Sequence, residues 1–110
     1  MKVKEKGHTI IIKRSDEAIA DLVLKIEENF STFQNHNLII DVCDTELSDA
    51  EVSLFNGLNE KQKSNKKSFV VVFENADFNE LGEDQMIIVP SLQEAHDIIE
   101  MEEIERDLGF

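Results

Sequence analysis

Residues 37–58 read NLIIDVCDTELSDAEVSLFNGL: a short apolar run, a polar turn and a helix start, in that order. Leu38, Ile39 and Ile40 form the branched aliphatic run expected of a strand buried on both faces. Asp44, Thr45 and Glu46 end it. Ser48-Asp49-Ala50-Glu51 spells a capping box, with Ser48 as N-cap and Glu51 at the third helical position. Val52, Phe55 and Leu58 follow at helical spacing and mark the face that packs down. A strand, turn and capped helix of this kind place N–H groups and side chains at one exposed sheet edge. In α/β proteins that edge commonly carries function.

Upstream, residues 9–14 (TIIIKR) are a strand by their β-branched run, and residues 2–6 alternate weakly between charged and aliphatic. Gly7-His8 offers a turn between them, so a small N-terminal hairpin or bent edge strand is expected, with lysines discouraging edge-to-edge pairing. Ser15 is expected to cap a helix whose first turn carries Asp16 and Glu17. Ile19, Leu22, Val23, Ile26, Phe30 and Phe33 share one face of that helix.

Downstream, the helix opened by Ser48 continues into the polar stretch 59–67. Lys61, Lys63, Lys66 and Lys67 lie at its C-terminus, where cations offset the negative end of the dipole. Gly57 within it marks either close packing or a weak place. Residues 69–73 (FVVVF) read as a buried strand, and residues 74–85 as an acidic connector with room for a short helix around 78–81. Residues 86–89 (MIIV) are the last strand. Pro90-Ser91-Leu92-Gln93-Glu94 then opens a helix with a second capping box, and Leu92, Ala95, Ile98, Ile99 and Ile104 form its apolar face. The acidic tail, about 100–110, is expected to fray from residue 105 onward.

This order predicts one α/β domain over residues 1–110, with a four- to five-stranded mixed sheet. An N-terminal hairpin or edge strand, three main helices and one short helix complete it, the helices making right-handed parallel crossovers. The single cysteine, Cys43, excludes an internal disulfide framework. No apolar run is long enough to span a bilayer and residues 1–7 lack the apolar core of a signal peptide, so a cytoplasmic location is expected. Net charge is −13. Residues 74–107 carry twelve acidic residues against Arg106 alone, whereas residues 1–73 carry ten basic and twelve acidic. That field repels phosphate backbones and anionic lipid, which argues against nucleic-acid or membrane partners and is compatible with a basic protein partner.

The element order, the segment LIIDV with its capped helix start, and the segment IVPSLQEAHDII at 88–99 together resemble the STAS domain. That is the fold of bacterial anti-sigma factor antagonists and of transporter tails. The resemblance implies a non-enzymatic regulatory module that binds a protein partner. In the antagonists a serine after an aspartate at this helix start is phosphorylated, and the added charge switches partner binding. Here Asp49 matches the aspartate, but Ala50 stands at the serine position and has no hydroxyl to modify. What the resemblance leaves is a partner surface over residues 45–56, with Thr45, Asp49, Ala50, Ser53 and Asn56 facing the partner.

Other chemistry is weakly supported. Asp41, Asp44, Glu46 and Asp49 crowd the end of the central strand and could in number hold Mg²⁺ or Ca²⁺, but their spacing fits no EF-hand and no DxD motif. Turn and cap chemistry accounts for them. Cys43 precedes a helix N-terminus, yet His8, His36 and His96 are all remote from it, so it lacks a local base. No HxH, HExxH or CxxC occurs, so the histidine-rich zinc motif that ribonuclease Z activity needs is not provided. Four separated glycines make no phosphate cradle. The expectation is therefore a cofactor-free interaction module. A small hydrolase or metal-dependent enzyme built on the acidic cluster and Cys43 is the alternative from another class. A homodimer through an uncovered sheet edge or helix face is compatible with the first reading.

Overall fold

A computed structural model describes residues 1–73 and 87–109. Five strands, β1 (Lys2–Lys6), β2 (Thr9–Lys13), β3 (Asn37–Asp41), β4 (Phe69–Val72) and β5 (Ile87–Val89), form one mixed sheet in sequential order. β1 runs antiparallel to β2 across the Gly7-His8 turn, where Gly7 adopts φ +60°. β2 through β5 are parallel. Every residue of β1 is exposed, and Lys2, Lys4 and Lys6 on it protect that edge from pairing.

The helical segments are α1 (Ile19–Glu28), α2 (Phe30–Phe33), α3 (Asp49–Ser53), α4 (Asn56–Ser64) and α5 (Leu92–Asp107). Strand alternation divides the core into two layers. Ile10, Ile12, Leu38, Ile40, Val71 and Ile88 point to the face covered by α1, α2 and α4, through Leu22, Ile26, Phe33, Phe55 and Leu58. Ile39, Val70, Val72 and Val89 point to the other face, against Ala95 and Ile99 of α5. Each fully buried aliphatic side chain contributes about 1.5–3 kcal/mol, so β3 and β4, buried throughout, anchor the sheet.

Several local expectations need correction. Ser15 does not cap α1, which begins at Ile19 after Ala18 with no side-chain cap. Glu17 is instead drawn to the Met1 ammonium at 2.6 Å and the Ser15 N–H at 2.7 Å, and Arg14 Nε holds the Glu17 carbonyl. The first helix also breaks at Asn29, whose Nδ2 donates to the Lys25 carbonyl at 2.8 Å and competes with the helical ladder. The second helix breaks too, between α3 and α4. Leu54 and Phe55 donate to carbonyls three residues back, which turns the fully buried Phe55 ring toward Phe69, 6.5 Å away centroid to centroid.

The last helix forms half of the expected capping box: the Ser91 hydroxyl accepts from the Glu94 N–H, but among the described residues no return bond runs from the Ser91 N–H to the Glu94 carboxylate. Its apolar face is narrower than the spacing predicts: Ala95 and Ile99 are buried, but Leu92 and Ile104 are exposed. The helix also runs to Asp107 rather than fraying at 105, because Arg106 is tied to the sheet. Gly57 sits where an added Cβ would approach only Glu27 Oε1, at 3.9 Å, so close packing does not require it. The short helix expected around 78–81 and the connector 74–85 lie outside the described residues. No helix among those described is long and apolar enough to cross a membrane.

Candidate functional site

The chain leaves β3 through a turn fixed by its own acids. Asp41, nearly buried, accepts from the Cys43 N–H at 3.1 Å, and Val42 N–H donates to the Val72 carbonyl. Asp44 pairs with Arg14 at 3.2 Å, tying the turn to the end of β2. These carboxylates are therefore spread along the loop rather than gathered. Among the described residues no three His, Cys, Asp or Glu side chains are placed to hold a metal ion.

The capping box then forms in full. Ser48 Oγ accepts from the Glu51 N–H at 3.2 Å, and Glu51 Oε1 accepts from the Ser48 N–H at 3.1 Å. α3 buries none of its five residues. A helix this short is marginal by itself, so its cap and its tethers at either end hold it in place. Asp49, Ala50 and Ser53 are exposed, and Thr45 and Asn56 are half-buried. The Ser53 hydroxyl donates to the Asp49 carbonyl at 3.0 Å. Both hydroxyls near Ala50 are thus engaged locally, one as cap and one on the helix backbone. Leu54, 42% exposed, completes the face with an apolar contact that the sequence reading missed. Spacing gives no signal of this, since Leu54 lies four residues before Leu58 on one helical face; the break between α3 and α4 turns it outward.

A second polar arrangement lies at the opposite end of the strands, where β3 and β4 begin. Asn37, 1% exposed, accepts at Oδ1 from the Ser68 N–H at 2.9 Å and from Arg106 at 3.3 Å, and donates to Glu103 at 2.5 Å. Gln62, fully buried, donates to the His36 carbonyl at 2.6 Å. Its position seven residues after Phe55 continues the inward stripe of the second helix, the sign in the sequence that residue 62 faces in. His36 Nε2 stands 3.9 Å from Glu5, and its Nδ1 is buried without a hydrogen-bond partner.

No family model matches the chain, and no curated protein matches it.

Proposed function

We propose that the chain is a non-enzymatic, STAS-like protein-interaction module whose partner surface is α3 and its flanks. The observation that carries this reading is a five-residue helix with no fully buried residue, docked on the core through half-buried Val52 and held by a complete capping box. A segment fixed by its cap and by one core-facing side chain, with its other residues outward, is a pre-organised display, and rigidity in the free state lowers the ordering cost of binding. Asp49, Ala50 and Ser53 present a small, acidic face, with Thr45 and Asn56 at its margins and Leu54 as an apolar anchor beside it. With Ala50 at its first turn and the nearby hydroxyls engaged, the surface binds constitutively rather than through phosphorylation.

Affinity capture from cells that naturally express the chain tests this, comparing wild type with Asp49→Lys and Glu100→Lys. A partner retained by Glu100→Lys and lost by Asp49→Lys supports the α3 surface. Equal losses in both variants would reduce the effect to overall charge and contradict it.

A further inference from the structure

We propose that the chain forms a homodimer in which the outer face of α5 docks on the lysine-bearing face of β1 and β2 in a second copy. Side chains alternate across a strand, and cross-strand partners share a face. Ile11 faces the α5 side of the sheet with Ile39, while Ile10 and Ile12 face the other side. β1 pairs Lys2 with Lys13, Lys4 with Ile11 and Lys6 with Thr9. Lys2, Lys4, Lys6 and Lys13 therefore surround Ile11 on the α5 side. α5 packs on β3, β4 and β5 through Ala95 and Ile99, and leaves all of β1 and Lys13 exposed, with Ile11 half-buried.

These lysines are unengaged: among the described residues none of Lys2, Lys4, Lys6 and Lys13 forms an ion pair. α5 meanwhile turns a second apolar stripe outward, away from its own sheet. Met101, Ile104 and Leu108, spaced i, i+3 and i+7, are 61%, 54% and 67% exposed. Asp97 continues the stripe one turn earlier, and Glu105 and Asp107 border it, all three exposed. An exposed apolar stripe rimmed by charge marks an interaction site. The two surfaces are complementary: a stripe edged by carboxylates meets an isoleucine ringed by ammonium groups.

Both surfaces belong to this chain, so a second copy satisfies them together in one reciprocal, two-fold contact. With the axis running alongside α5, each helix lies between its own sheet and the β1–β2 strip of its partner. Two strands span about 10 Å, the diameter of one helix. The two helices then share a layer, and lysines from both sheets face the carboxylates of both helices. Each copy carries a net charge of −13. That long-range repulsion is screened beyond about 8 Å at physiological ionic strength, whereas the complementary groups are in contact. α3 follows the carboxyl end of β3, outside this contact, so the homodimer leaves the heteromeric surface open.

Analytical ultracentrifugation of the full chain tests the proposal, using wild type, a sheet variant (Lys4→Glu with Lys6→Glu) and a helix variant (Asp97→Lys with Glu105→Lys). All four positions are exposed, so the fold is retained. Wild type should sediment as a dimer at micromolar concentration. Each variant alone should dimerise at least about tenfold more weakly, because like charges then face each other at both contacts. The helix variant also lowers the net negative charge, so its loss of dimer separates a local contact from overall repulsion. Mixed in equal amounts, the two variants should regain the dimer, since both contacts again join opposite charges. A monomeric wild type would overturn the proposal and leave the lysine face to a different acidic protein. Variants that dimerise as wild type does, or a mixture that stays monomeric, would overturn it equally.

Discussion

Arg106 Nη2 donates to Asn37 Oδ1 at 3.3 Å, joining the last turn of α5 to the first residue of β3. The same oxygen accepts from the Ser68 N–H, so one buried amide ties a helix on one face of the sheet to two strand starts. Asn37→Ala would leave the Ser68 N–H buried without this acceptor, at a cost of about 1–3 kcal/mol. Urea unfolding should show that loss as a lower midpoint with an unchanged m-value.

Gly57 is exposed inside α4 with space for a Cβ. Gly57→Ala should stabilise the chain by about 0.5–1 kcal/mol, through the lower backbone entropy of the unfolded state. Thermal unfolding would show the midpoint rising; a fall would mean that the approach to Glu27 is tighter than the 3.9 Å gap.

Ser48→Ala removes one bond of the capping box and should destabilise α3 by about 0.5–2 kcal/mol. The effect should be local. Hydrogen exchange at Glu51 and Val52 should accelerate while the β3 and β4 amides keep their protection.

Glu17 carries a carboxyl held at about 2, well below its ordinary 4.5. The Met1 ammonium is the chief cause, followed by the Ser15 N–H, with Lys25 adding to them against the opposing effect of burial. A carboxyl lowered on folding contributes stability that is fully present above about pH 4.5 and is lost as pH falls toward about 2. Glu17→Gln should therefore lower the melting temperature at pH 7. It should also flatten that part of its decline between those pH values that wild type shows.

Legibility followed hydrophobic patterning. The runs at 38–40 and 69–72 announced strands buried on both faces, and the capping box at Ser48 is where the sequence places it. What escaped depends on contacts distant in the chain. Ser15 resembles a cap, but Glu17 is claimed by the Met1 ammonium. Asn29 breaks a helix through its own side chain, which periodicity does not register. Ile104 keeps helical spacing yet is 54% exposed, because α5 crosses the sheet only along its Ala95–Ile99 side. The lysines at 61–67 read as a helix-end patch; that three of them share a cavity with Arg106 follows only from how α5 folds back.

Photo-crosslinking tests the interaction account most directly. A photoreactive amino acid placed at Ala50, and separately at Glu100 on the exposed face of α5, would be activated in cells that naturally express the chain. The α3 surface predicts a discrete heteromeric adduct from position 50 and none from position 100. Adducts from position 100 alone, or none from either position, would contradict it.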